Sequence, residues 1–254
     1  MRSVQFIVLL LSLILCPSCS SYDAQAKSVS PQLDVVLVDT GSSEEFSGKL
    51  HLQRTCDVCW HPHGTQMAKA LQDMIGHFQN FDSISAKMVT WQDSQRLPSL
   101  IRVAADLRPK VIVLALAGDV PSRAEYEAVK YASDRDILVL AAAGNQGRAD
   151  PEYPAGYKLK CLLSVSTALS HGETWGEGKT QGPSRGEIYL PQYASEGGTS
   201  FSTARAAAYA IAYFRVNPTS SCQMAKRWMT SQFSSTHTDL KLVQDVRSKR
   251  QTSH

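Results

Sequence analysis

The chain has 254 residues, of which 43% are hydrophobic and 19% charged, enough for one α/β domain of ordinary size. That composition excludes a disordered tail, a collagen-like fibre and a multi-span membrane protein. With 26 basic against 23 acidic residues the formal charge is +3. Its one basic run, from Arg247 to Arg250, is a short solvated stretch that calls for no nucleic acid.

Met1-Arg2 is followed by the apolar run from Phe6 to Leu15 and then by small and polar residues through Ser21. The run is too short to span a bilayer, so residues 1–20 are read as a secretory signal peptide that stays out of the fold. An N-terminal anchor helix is the competing reading. Cys19 after Ser18 also offers a lipoprotein-type acceptor, and membrane attachment is expected only if Cys19 is lipidated. The expected location is extracytoplasmic, either secreted or periplasmic.

Cys56, Cys59, Cys161 and Cys222 remain beyond the signal segment. An exported protein can oxidise them, and four cysteines allow three pairings, which sequence does not separate. Cys56 and Cys59 suit a tight local disulfide, a redox pair, or half of a zinc site with His61 and His63. A disulfide or free thiols is favoured over metal, because only one such cysteine pair is present and His63 has another use.

No repeat or linker interrupts the chain, so residues 21–234 are expected to form one domain, followed by a polar tail over 235–254. Continuous apolar runs predict strands at Leu33–Val38, Ala86–Thr90, Val111–Leu116, Ile137–Ala142 and Cys161–Val165. Such runs suit strands buried on both faces of a parallel sheet. Between them, helical spacing is expected over Met67–Phe78, Leu97–Leu107 with Pro109 closing it, and Pro121–Ala132, with the proline in the first turn. Ala204–Ala212 adds a helix of small residues, and Met224–Phe233 a terminal one. The alternation predicts a doubly wound, mostly parallel α/β sheet with helices on both faces. In such sheets the crevice for chemistry lies beyond the carboxyl ends of the strands.

Four polar residues stand where a strand run ends or a helix opens. Asp39 closes the first strand run, His63 opens the first helix, Asn145 follows the fourth run, and Ser200 opens the small-residue helix. Each has a bland reading alone: a turn or cap for Asp39, a surface or capping residue for His63, a Gly-Asn turn for Asn145 and an ordinary N-cap for Ser200. Together they supply what acyl-bond hydrolysis needs. A serine hydroxyl needs a base beside it, an imidazole can take that proton near neutral pH, a carboxylate fixes the imidazole tautomer, and an amide donor can hold an oxyanion.

The blocks Val35–Gly41, His63–Ala68, Val111–Gly118, Val139–Asn145, Tyr153–Ala155 and Gly198–Ser202, in this order, resemble the subtilisin-like serine proteases. That resemblance implies the doubly wound fold and a serine endopeptidase acting on protein or peptide substrates, monomeric, with no cofactor required for the chemistry. It implies Asp39 as orienting acid, His63 as general base, Ser200 as nucleophile and Asn145 as oxyanion-hole side chain beside the Ser200 N–H. It also implies that Ala115, Leu116, Ala117 and Gly118, with Ala142, Ala143 and Gly144, line the first specificity pocket.

Some positions depart from the family pattern. Gln66 stands where members usually carry His, and Ala204-Arg205 stand near the usual proline. Only a short stretch separates the signal segment from the first strand, where secreted members have a folded propeptide, and the loop after His63 is trimmed, which leaves calcium binding open. These departures motivate a second expectation: a subtilase-like binding or immunity module whose site is intact but unused. A third expectation makes Cys56 and Cys59 a thiol–disulfide centre.

Overall fold

A computed structural model describes residues 32–59, 61–78, 81–90, 97–168, 182–191 and 197–234. The proposed signal segment and the polar tail lie outside the described residues.

The long strands form where apolar residues run without a break. β1 (Val35–Asp39), β4 (Val111–Leu114), β5 (Leu138–Ala142) and β6 (Leu162–Ala168) are buried throughout. β2 (Leu50–His51), β3 (Ile84–Thr90) and β7 (Ile188–Pro191) complete a seven-stranded sheet in the order β2-β3-β1-β4-β5-β6-β7. All of its strand pairs are parallel. β2 and β7 are absent from the strands expected from sequence, and both lie at the sheet edges.

Successive side chains of a strand point to opposite faces, and this sorts the core into two layers. Val35, Leu37, Val111, Val113, Leu138 and Leu140 pack with α1 (His63–Gly76), α4 (Thr199–Val216) and α5 (Cys222–Phe233). Val36, Val38, Ile112, Leu114, Val139 and Ala141 pack with α2 (Leu97–Asp106) and α3 (Arg123–Asp134) on the other face. The doubly wound arrangement expected from the alternation is therefore present. α3 begins later than expected. Ser122 accepts the Glu125 N–H at 3.4 Å and caps the helix, so Pro121 stands before the cap rather than in the first turn.

α4 is the helix that carries chemistry. Ala204, Ala206, Ala207, Ala208 and Ala210 are fully buried, and their small side chains allow a long helix to lie close under the sheet. At its far end Arg215 grips Asp34 with two nitrogens, at 3.0 and 2.6 Å, just before β1. A bidentate pair of this kind fixes orientation as well as distance.

The strand order reverses around β1, which pairs with β3 on one side and β4 on the other. The crevice beyond the carboxyl ends of strands at such a switch is where doubly wound proteins bind ligands. β1 ends at Asp39, β4 leads into Ala115, and β5 leads into Ala143.

Candidate active site

Asp39 is the last residue of β1, and its side chain is only 4% exposed. Its Oδ1 accepts the Thr40 N–H at 2.7 Å and faces His63 Nδ1 at 2.8 Å. A carboxylate only accepts, so Nδ1 carries the proton and Nε2 is left as the basic nitrogen. His63 is 26% exposed, so its ring sits between the buried acid and the open crevice.

Thr40 braces this pair from below. Its Oγ1 accepts the Gly64 N–H at 2.9 Å and lies 3.1 Å from the His61 carbonyl. The first turn of α1 is thereby tied to the end of β1, which compensates for the absence of a side-chain cap at Pro62. His61 Nδ1 in turn accepts the His63 N–H at 3.1 Å.

Ser200 is the second residue of α4, behind Gly198 as N-cap with φ +129°. Its Oγ donates to the Ala115 carbonyl at 2.8 Å. The hydrogen bond from Ser200 to His63 expected of an assembled triad is not formed in this state; the rotor has taken the peptide acceptor beside it. The Ser200 N–H lies in the first turn, where backbone donors have no helical acceptor, and it has no partner among the described residues.

Asn145 follows β5, and its Oδ1 accepts from the Thr199 N–H at 3.0 Å and the Thr199 Oγ1 at 3.3 Å. A backbone N–H can only donate, so the atom facing it is oxygen, and the donor Nδ2 has no partner among the described residues. Asn145 Nδ2 and the Ser200 N–H, two donors without a partner among the described residues, thus flank Thr199 at the positive end of α4. Such an arrangement can hold a developing negative charge.

Of the residues picked out by sequence, the structure joins Asp39 to His63, Asn145 to the head of α4, and Ser200 to Ala115. Ala115 extends β4, while Ala142 ends β5 and Ala143 and Gly144 extend it. Leu116, Ala117 and Gly118 carry the first of these segments outward, and Gly118 is exposed and bridges to Tyr153. Sequence reasoning passed over Thr40, Thr199 and Glu152. Thr40 and Thr199 are visible only as neighbours of Asp39 and Ser200. Glu152 has no signal beyond preceding the Tyr153–Ala155 block.

The cysteines pair as Cys56–Cys59 and Cys161–Cys222. The zinc half-site considered for Cys56, Cys59, His61 and His63 loses both thiolates to the first bond. Asp136 also gathers with Cys161 and Cys222, but those sulfurs are likewise joined. Among the described residues, no helix is long and apolar enough to cross a membrane.

A doubly wound sheet with an Asp–His pair at the end of its first strand and a serine at the head of a buried helix defines a hydrolase-like class of site. Residues 59–248 match the model of the subtilase family, and the chain belongs to that family. The match includes His63, Asn145 and Ser200 but begins after Asp39, so Asp39 joins the set through its 2.8 Å approach to His63. Over 118 residues the chain is 36% identical to thermitase of Thermoactinomyces vulgaris, a stretch covering 43% of this chain and 42% of that protein, so the match spans less than half of thermitase. Among solved structures, the S41 psychrophilic protease is 22% identical with a TM-score of 0.60, over 79% of this chain and 82% of that one. Sphericase is 19% identical with a TM-score of 0.57, over 79% and 83%. These two likenesses concern the fold.

Proposed function

We propose that this chain is an exported serine endopeptidase that hydrolyses peptide bonds through Asp39, His63 and Ser200. The observation that carries the reading is the Asp39–His63 contact at 2.8 Å, in a chain whose Ser200 N–H and nearby Asn145 Nδ2 have no partner among the described residues. Ser200 Oγ turns from Ala115 toward His63 Nε2, gives up its proton and attacks the substrate carbonyl. The oxyanion is held by Asn145 Nδ2 and the Ser200 N–H. His63 then returns the proton to the leaving amine, and an acyl-enzyme forms. Water, deprotonated by the same imidazole, releases the acid and restores Ser200. Asp39 stabilises the imidazolium throughout.

Export is supported by the segment 1–20 and by two disulfides, which persist in oxidising compartments. Protein or peptide substrates follow from the chemistry.

The bond from Ser200 to Ala115 favours a second reading, a binding module whose hydroxyl is never released to the base. A fluorophosphonate probe with mapping of the modified residue separates the two. The peptidase reading expects labelling at Ser200, cleavage of a denatured protein, and loss of both in Ser200→Ala. A folded wild-type chain that shows neither would sink it.

A further inference from the structure

Glu152 is buried beside the crevice and has no part in the chemistry above. β4 and β5 run parallel and adjacent, and beyond their ends Ala115–Gly118 and Ala142–Gly144 continue as two segments tied to the head of α4, through the Ser200 bond to the Ala115 carbonyl and the Gly144 bond to Thr199 Oγ1. The chain returns across both segments. The Glu152 N–H donates to the Ala143 carbonyl at 2.8 Å, and Tyr153 exchanges two bonds of 2.8 Å with Gly118. Glu152 is thus held to one wall while its neighbour is held to the other. Its carboxyl lies directly on Gly144: a Cβ there would sit 2.1 Å from Glu152 Cδ. Gly144 is the residue before Asn145.

The charge at this floor is unbalanced. Glu152 is 5% exposed. Oε1 accepts the Gln146 N–H at 3.1 Å and the Ser184 hydroxyl at 3.0 Å, both neutral donors. Oε2 accepts no bond among the described residues, yet it is not a sealed atom. Among the described residues no cation pairs with this carboxylate. Arg148, on the adjoining loop, is turned to Asp119 at 2.9 Å. A carboxylate held at such depth on neutral donors alone retains an unmet demand for positive charge.

We propose that the space between these two segments takes a substrate side chain and that Glu152 makes it a pocket for a cationic one, so that the preferred substrates carry Lys or Arg at the residue whose carbonyl is attacked. The proposal rests on the peptidase reading and specifies its substrate class. The carbonyl held by Asn145 and Ser200 belongs to that residue, so its side chain starts beside Asn145 and enters between the two walls. Apart from Leu116 the two walls are alanine and glycine, small side chains beside which an aliphatic stem can lie, and the carboxylate waits for the charged tip.

The test uses the full chain and two fluorogenic peptides that differ only in Arg or Leu before the scissile bond. The wild type is expected to favour Arg in kcat/KM by at least about tenfold, and Glu152→Gln to lower the Arg-to-Leu ratio by a similar factor. The amide keeps the size of the side chain and an oxygen for Gln146 and Ser184. The ratio does not depend on the fraction of folded enzyme. Equal cleavage, preference for Leu, cleavage of neither peptide, or a ratio that Glu152→Gln leaves in place overturns the pocket and makes Glu152 a brace for the Gln146 loop. Fluorophosphonate labelling of Ser200 accompanied by any of those results leaves the peptidase reading standing. Failure of labelling removes both.

Discussion

Gly64 and Gly41 meet backbone to backbone. A Cβ added to Gly64 would lie 2.2 Å from the Gly41 carbonyl oxygen and 2.9 Å from its nitrogen. This approach lets α1 start directly against the turn that follows β1, and it is what brings His63 within 2.8 Å of Asp39. Because the obstacle is main chain, no rotamer change relieves it. Gly64→Ala is expected to destabilise the fold by about 1–3 kcal/mol and to reduce fluorophosphonate labelling of Ser200 well beyond what the unfolded fraction explains. Thermal unfolding and labelling of the same sample measure both.

Asn145 is aimed by Thr199 rather than by its own loop. The Thr199 N–H and hydroxyl fix Oδ1, and Thr199 Oγ1 also accepts the Gly144 N–H at 3.1 Å. Asn145→Ala removes the proposed oxyanion donor and should lower kcat by about 100- to 1,000-fold with little change in KM. Thr199→Val keeps the shape but leaves the buried Gly144 N–H without an acceptor, at a cost of about 1–3 kcal/mol. It should reduce kcat in the same direction by a smaller factor, because Asn145 still has the Thr199 N–H. Steady-state kinetics on one peptide substrate rank the two variants; a Thr199→Val loss larger than that of Asn145→Ala contradicts this order.

Asp39, His63, Asn145 and Ser200 could be picked out from sequence because each stands where a continuous apolar run ends or a helix begins, within two residues of a glycine. The buried strands were legible for the same reason, since Val35–Val38 or Leu138–Ala142 has no polar side to hide. β2 was not legible, because Leu50-His51 is too short to show any period. β7 was missed because Ile188-Tyr-Leu-Pro191 is a short edge strand that is buried on alternate residues and ends in proline. The cysteine pairing depends on where the start of β6 meets the start of α5, an approach that no local pattern encodes. Glu152 escaped notice because a carboxylate in a loop normally faces water; its burial comes from Ala143, Gly144 and Ser184 closing around it.

The two disulfides should differ in worth. Cys161–Cys222 closes a loop of 61 residues and joins β6 to α5, with both cysteines buried. Cys56–Cys59 closes only three. By chain-entropy reasoning the long loop is worth about 4 kcal/mol and the short one about 2 kcal/mol. The double replacement Cys161→Ala with Cys222→Ala should therefore lower Tm more than Cys56→Ala with Cys59→Ala. Calorimetry under non-reducing conditions checks the order, and a reversed order would place the larger contribution in native contacts of Cys56, which packs against Gly41.

Tyr157 gives the fold an alkaline limit. Its hydroxyl accepts the Ser122 N–H at 2.8 Å and lies 2.9 Å from the Ser122 carbonyl and 3.0 Å from Glu125 Oε1, at the start of α3. Burial first, and then the nearby Glu125 and Tyr153, push the phenol up to about 12, although the bond to Ser122 pulls the other way. Burial also raises Glu125 above its ordinary value, partly offset by the Tyr157 bond. For Tyr157 the folded chain keeps its proton after the unfolded chain has lost it. Its contribution to stability is therefore complete below about pH 10 and is lost as pH climbs from about 10 to about 12. Denaturant unfolding across that window should show stability falling with pH, and Tyr157→Phe should fall less steeply while starting lower, because the Ser122 N–H loses its acceptor. Tyrosinate absorbance should include a late component from Tyr157 that vanishes in Tyr157→Phe, while the rise of Tyr131, whose bond to Asp106 also holds its phenol above the ordinary value, remains. A variant whose slope matches the wild type would show that other groups set the alkaline limit.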